Sequence, residues 1–495
     1  LGACGCINRG QYFIPGDGLM IKLQDLFNRL DLPVKAGERI CMQNPRGYQL
    51  SDLKKLLYWK RAADFSEVGT GKSLKSYLYI IYKALTGRKV VVVMPPPLLP
   101  QYISQFEEIF PDHGFEMYNF TMPVKKRNEL VDWLVNRRFL PDVSFMSYQM
   151  FVKLHPFFID QGMDVLVCDE AHAIKNISTK NFSSIYKFLT FVDGAFLEMT
   201  ATPITAELRD SYAHIRIKSP KLYPSLRAFD DQHTIYKDIG DFPKIVGYKN
   251  EDIIRQRINF QAVRQRAVEV LDLLEPMVVE QRVDLSSPHM KLYKKLLRER
   301  ILELGDQLLI GENPQKLRQM ALQLVTNVQN YTDTKMVDEP LNMLRAIIDS
   351  VGDKKILVFC NYRTTVEKLA KEFEHLNPAL MYGGSNVPKN ADKFNNDETT
   401  KIGIANFRSG GAGLNLQERC HNVVFFEPTG VPSELTQALG RVQRSGQTEV
   451  VNAWLFRYTG TISVRLIDSA LERSVGIKEV MQDKESILDA LMLAR

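Results

Sequence analysis

Cysteine is scarce. Six are scattered through 495 residues, too few and too dispersed for the disulfide framework that staples small secreted domains. Long apolar runs are also missing: none approaches the roughly 18 residues that a membrane-spanning helix needs. The opening LGACGCINRG has no initiator Met and none of the apolar stretch that a secretory signal carries. These absences predict a soluble, intracellular chain, cytoplasmic in a bacterial or phage setting, with reduced thiols and no membrane partner. Cys168 and Cys360 lie inside apolar runs and read as buried thiols, whereas Cys4 and Cys6 form a CxC with no second pair nearby, a poor zinc site. Charge of one sign is not in excess. A net +6 permits a polyanionic partner without requiring one.

The length predicts two or three domains, and 45% hydrophobic with 25% charged residues is an ordinary globular balance. The stretch that organises the chain is SEVGTGKS, Ser66 to Ser73, between two helical runs, the second opening at Leu74. Gly69, Thr70 and Gly71 supply a tight loop whose backbone N–H groups converge on phosphate. Lys72 adds a point charge and Ser73 can offer its hydroxyl to Mg²⁺. The phosphate-loop pattern has Gly where this chain has Ser66. DEAH, Asp169 to His172, follows the apolar run VLVC. A phosphate loop followed by a strand ending in paired carboxylates is the layout of a nucleotide hydrolase.

From about residue 45 short apolar runs alternate with helical segments: KVVVVMPPP, DVSFMS, DVLVCDE and AFLEMTATP. A second series, KKILVFC, ALMYGG, KIGIANF and NVVFFEP, begins near 354. Continuous apolar strands of this kind belong in parallel sheets covered by helices on both faces, with ligands at the carboxyl ends of the strands. The fold expected is α/β, two RecA-like parallel-sheet lobes with helical insertions and a small N-terminal extension. The boundaries are an accessory segment over 1–44, lobe 1 over 45–275, lobe 2 over 276–475 and a C-terminal helix over 476–495. Residues 206–345 read as mainly helical, including HMKLYKKLLRERILELGDQLL. In the first segment, Leu23, Leu26, Phe27 and Leu30 recur at helical spacing.

The order of these motifs resembles superfamily 2 helicases and translocases, and more narrowly the Snf2 branch. DEAHAIKN, MTATPI, SGGAGLNLQ and QALGRVQRSGQ carry the likeness; the RSGQ ending differs from the HRxGRxGR of DEAD-type RNA helicases. The resemblance implies ATP and Mg²⁺ as cofactors, with Asp169 and Ser73 on the metal and Glu170 activating the attacking water. Gln437, Arg441 and Arg444 would complete the site from lobe 2, the two arginines three apart on one helix face as arginine fingers. PRGYQLSDL matches the family's adenine segment, with Gln49 reading the base edge and Arg46 or Tyr48 packed on it. Pro96, Ser147, Tyr148, Gly384 and Arg408 are the transferable nucleic-acid contacts, sequence-independent because they suit phosphate. His172, Thr200 and Thr202 would couple the ATP site to that track. Three stretches depart from the family pattern: ITAEL after TATP, Lys389 and Asn390 where an Arg is common, and TGTISVRL without its acidic pair.

QYFIPGDGLMIKLQDLFNRLDLPVK is similar to the end of the N-terminal DNA-binding module of phage branch-migration helicases. The activity expected is ATP-driven translocation on duplex, forked or four-way DNA with branch migration. The rival is a nucleic-acid-dependent NTPase of viral transcription or an RNA helicase.

Overall fold

The computed structural model describes residues 20–32, 34–239, 242–271, 273–304, 307–407, 414–427 and 429–481. Among these, two all-parallel sheets organise the chain. The first runs, in spatial order, Ala262–Val263, Arg61–Asp64, Ala195–Met199, Val165–Asp169, Val90–Met94, Val143–Ser147 and Met117–Asn119. The second runs Met277–Val283, Asn452–Tyr458, Cys420–Phe425, Lys355–Cys360, Ile402–Asn406 and Ala379–Met381. Strand alternation sends each run to both faces. Val90, Val92 and Met94 enter one core while Val91 and Val93 enter another. In the second sheet Ile356 and Val358 part from Leu357 and Phe359 in the same way. Both sheets are thus covered on each face, the condition for parallel pairing, and the chain forms two RecA-like lobes.

The register brings the chemistry to one edge. Asp64 and Asp169 both pair with Met199, and Met94 pairs with Ser147. The strand ends that precede the phosphate loop, DEAH and TATP are therefore neighbours.

The region between the two series carries the expected helices, among them Glu251–Asn259, Ser287–Glu299 and Pro314–Thr326, but it is not helical alone. It holds two antiparallel hairpins, Thr234–Ile239 with Phe242–Tyr248, and Ile301–Leu304 with Gln307–Ile310. The expected long helix ends at Glu299, because Arg300 adopts a left-handed φ of 60° and turns the chain into the second hairpin.

The N-terminal segment shares the core of lobe 1. Ile21–Lys22 pairs antiparallel with Ile40–Cys41, and Leu23, Leu26, Phe27 and Leu30 pack into the same cluster as Leu78 and Val92. Residues 1–19, which include Cys4, Cys6 and the QYFIPGDGL that opens the stretch similar to phage branch-migration helicases, lie outside the described residues. At the other end the helix Ile462–Met481 runs through position 476 without a break. Its Ile467 and Leu471 pack in lobe 2, whereas Val480 and Met481 enter a lobe 1 cluster with Phe65 and Ile254. This helix straps the lobes together; residues 482–495 are outside the described residues. No helix among the described residues is long and apolar enough to cross a membrane.

Candidate nucleotide site at the lobe interface

The phosphate loop leaves the strand Arg61–Asp64 and feeds the helix Lys72–Leu85, which opens at Lys72, two residues before the Leu74 expected from sequence. Gly69 and Gly71 hold φ of 84° and 80°, values that a side chain resists. A Cβ on Gly71 would meet Gln49 Nε2 at 2.1 Å. The Lys72 ammonium donates to the carbonyls of Ser66 at 2.6 Å and Glu67 at 2.8 Å. Burial pulls its pKa down to about 8 against the attraction of Asp64, Glu170 and Asp169. Ser73 is exposed at the head of the helix.

Ser66, the departure from the loop pattern, is built into the base of the loop. Its hydroxyl accepts from Lys75 Nζ at 3.1 Å and from the Gln265 N–H at 3.0 Å, and its own N–H donates to Asp64 Oδ1 at 3.0 Å. Lys75 lies fully buried between Asp64 at 2.7 Å and Asp52 at 3.0 Å. Burial pushes its pKa down, but the two carboxylates outweigh this and raise it. Gln265 closes the cluster through Nε2 on Asp52 Oδ1 at 3.0 Å. Sequence reading passed over Asp52, Asp64, Lys75 and Gln265. The available signal was a lysine in the first turn of an otherwise apolar helix face.

Asp169 ends its strand and Glu170 turns the chain with a left-handed φ of 49°. Burial and the neighbouring Glu170 raise the Asp169 pKa. Burial acts on Glu170 in the same sense, but His172, whose Nδ1 lies 3.2 Å from Glu170 Oε2, with Lys72 and Arg441, holds it low. Of the two, Glu170 ionises the more readily. Beneath them Tyr148 is buried and donates its hydroxyl to the Asp169 carbonyl at 2.8 Å. That corrects the expectation of a nucleic-acid contact: its helix face packs inward, and the ring is a strut under DEAH.

Lobe 2 reaches this site. Gln437 Nε2 donates to Thr202 Oγ1 at 2.9 Å, and Thr200 Oγ1 accepts from the Thr202 N–H at 3.1 Å. Arg441 and Arg444 are not on a helix face. The helix Pro432–Leu439 stops before them, and the turns after Gly440 carry them. Arg444 lies against the phosphate loop, its Cβ 3.0 Å from where a Gly69 Cβ would stand, and donates Nη1 to the Leu414 carbonyl at 3.1 Å. Burial lowers both guanidinium pKa values to about 10, with Glu170 opposing the shift at Arg441.

At the loop's other side Tyr48 donates to the Thr70 carbonyl at 2.9 Å. The Gln49 amide accepts from the Arg46 N–H at 2.8 Å and donates to the Thr70 carbonyl at 3.4 Å, so it caps its own helix and braces the loop. Arg46 and Tyr48 line a cavity of about 380 Å³ with Leu271, Leu273, Ser445 and Gly446, residues of both lobes.

Residues 52–333 match the model of the SNF2-related domain and residues 339–446 that of the helicase conserved C-terminal domain. The chain belongs to the SNF2-related family. It is 25% identical over 441 residues to an uncharacterized ATP-dependent helicase of Mycoplasma pneumoniae, which covers 86% of this chain and 40% of that protein. To the DNA repair and recombination protein RAD54-like of Danio rerio it is 22% identical over 488 residues, 85% of this chain and 64% of the relative. To the CHD3-type chromatin-remodeling factor CHR7 of Arabidopsis thaliana it is 23% identical, over 85% of this chain and 36% of the relative. It therefore spans 36 to 64% of the length of these three relatives.

Three of the remaining candidates of this SNF2-related chain end or follow strands. Pro96 is exposed after Val90–Met94, and Ser147 caps the following helix by accepting from the Met150 N–H at 3.2 Å. Gly384 is exposed in lobe 2, with open space where its Cβ would be. Arg408 lies outside the described residues.

Proposed function

We propose that the chain is an ATP-dependent DNA translocase that moves on duplex or branched DNA and remodels forks or four-way junctions by branch migration. One observation carries the reading: lobe 2 meets both the phosphate loop and the TATP segment of lobe 1, with Arg444 against Gly69 and Gln437 on Thr202. A site completed only when the lobes close links each hydrolysis event to lobe movement. The donor set fits a nucleoside triphosphate and its metal. An ammonium resting on backbone carbonyls beside two carboxylates suits phosphates, and the cavity at Arg46 and Tyr48 suits a base. Ser73 and Asp169 would hold Mg²⁺, which when bound supplies neutralising charge at the β and γ phosphates.

Lys72 binds the same phosphates, and Glu170, kept ionised by His172, orients and deprotonates water. Arg441 and Arg444 offset charge that develops on the transferred group. Thr200 and Thr202 pass the closure to the strand ends, where Pro96, Ser147 and Gly384 meet the phosphate backbone without reading sequence, and Arg408 is a further contact of the same kind.

The test is steady-state ATPase activity at fixed salt with no nucleic acid, single-stranded DNA, duplex DNA, a four-way junction and RNA. Strongest stimulation by duplex or junction, abolished by Glu170→Gln with DNA affinity kept within a few fold, is expected. Preference for RNA or single strands would replace this reading with an RNA helicase or transcription NTPase.

A further inference from the structure

The hairpin Thr234–Ile239 with Phe242–Tyr248 stands off lobe 1. Beyond its base both faces meet solvent: Ile235 is 42% exposed, Tyr236 43% and Val246 51%. A two-stranded ribbon with no third strand and no packed face is marginal in water. Its strands span about 20 Å at roughly 3.4 Å per residue. Lys237 sits directly opposite Lys244, and both are exposed. Like charges in register destabilise an antiparallel pair, and neither lysine has an ion pair among the described residues. Asp238 pairs with Pro243 on the other face, together with Tyr236 and Ile245. One face is therefore cationic, an arrangement that an anion would stabilise.

The base of this exposed ribbon is bolted to the ATP site. Lys175, six residues after Asp169, reaches Thr205 Oγ1 and lies 3.4 Å from Asp210 Oδ2. Asp210 Oδ2 also accepts from Thr205 Oγ1 at 2.8 Å and from the Ala206 N–H at 3.0 Å. Next along the chain, Glu207 Oε2 accepts from the Tyr248 hydroxyl at 3.2 Å, and the Arg209 N–H donates to that hydroxyl at 3.4 Å. Arg209 forks onto Asp230 at 2.9 and 2.5 Å, and Thr234 Oγ1 donates to Asp230 Oδ1 at 3.2 Å. Both strands of the hairpin are thus tied to the segment after TATP, and that segment to DEAH. It is the stretch whose sequence, ITAEL, departs from the family pattern.

We propose that this hairpin is a duplex-engaging lever: Lys237 and Lys244 ride on backbone phosphates, and the Glu207–Tyr248 junction transmits movement of the ATP site to it. The occupant is double-stranded DNA because the basic face suits phosphate and the major groove admits a two-stranded ribbon. The inference rests on the DNA reading above, and its failure is separable from that one. If duplex DNA does not stimulate the wild-type ATPase, the translocase reading falls. If it does, the hairpin is judged by two variants.

Lys237→Ala/Lys244→Ala should keep its DNA-free ATPase, weaken duplex affinity, and lower the slope of log affinity against log salt by about 2, roughly 1 per lost phosphate contact. Tyr248→Phe keeps the ring and removes the hydroxyl that joins Glu207 and Arg209. It should retain duplex affinity and duplex-stimulated ATPase but lose severalfold in displacing a third strand from a triplex. An unchanged salt slope and affinity in the double alanine variant would overturn the proposal and leave the ribbon as a protein-docking element. Wild-type displacement by Tyr248→Phe would overturn the transmission.

Discussion

Gln437 of lobe 2 donates its side-chain amide to Thr202 Oγ1 of lobe 1 across 2.9 Å. Thr202 in turn leans on Thr200, whose N–H donates to the Asp64 carbonyl at 3.1 Å beside the phosphate loop. A single contact thus joins the helix before the arginines to the floor of the nucleotide site.

Removing that contact should loosen closure without emptying the site. A neutral hydrogen bond is worth about 0.5–1.5 kcal/mol net, so Gln437→Ala should lower DNA-stimulated kcat by roughly 2- to 10-fold, since RT is about 0.6 kcal/mol. Thr202→Val should do the same, and the double variant should be no worse than either single one. Additive losses in kcat would show that the two side chains do not act as a pair.

Lys75 is a stability determinant of the loop. Lys75→Met would leave Asp52 and Asp64 buried together without their cation, and removing one partner of such a group costs about 3–5 kcal/mol. Urea unfolding monitored by far-UV circular dichroism should show a loss of that order. A loss under about 1 kcal/mol would mean that one carboxylate is neutral or hydrated in the folded chain.

Both sheets were legible because their strands are buried on both faces and therefore read as unbroken apolar runs, as VVVVM and KILVFC do. The motifs fell at strand ends for the same reason. The hairpins were not legible: TIYKDIGDFPKIVGY and ILELGDQLLI each carry a Gly-Asp between two apolar stretches, but in the second the run of leucines before it continues helical spacing. The Lys75 cluster was hidden because its members are spread over 52–265 and meet only through the sheet. Tyr148 was misplaced because a motif locates a residue along the chain without saying which way a helix faces.

Arg444 sets its Cβ against Gly69 while its guanidinium donates to the Leu414 carbonyl, so as an arginine finger it would swing from Leu414 onto the transferred phosphate. Arg444→Ala should reduce kcat by about 10³-fold or more, the range of a trans-acting arginine, with ATP affinity changed by no more than roughly threefold. Equilibrium binding of a fluorescent ATP analogue, set beside single-turnover hydrolysis, separates the two effects. A loss confined to affinity would make Arg444 a ground-state contact.

Lys72 gives the nucleotide site its own pH dependence. Burial holds its pKa at about 8, below the ordinary 10.5, so above pH 8 the free site loses the ammonium that meets phosphate. ATP affinity should then weaken by about tenfold per pH unit, as for one proton taken up on binding. The sign for folding is opposite. Between about 8 and 10.5 the unfolded chain binds more protons at this group, so its contribution to stability rises with pH and cannot account for lost binding. Lys72→Arg keeps its charge across the range. Titrating ATP binding from about pH 7 to 9.5 should give a falling profile for the wild type and a flat one for the arginine variant. A flat wild-type profile would show that the loop carbonyls and carboxylates hold the ammonium protonated throughout.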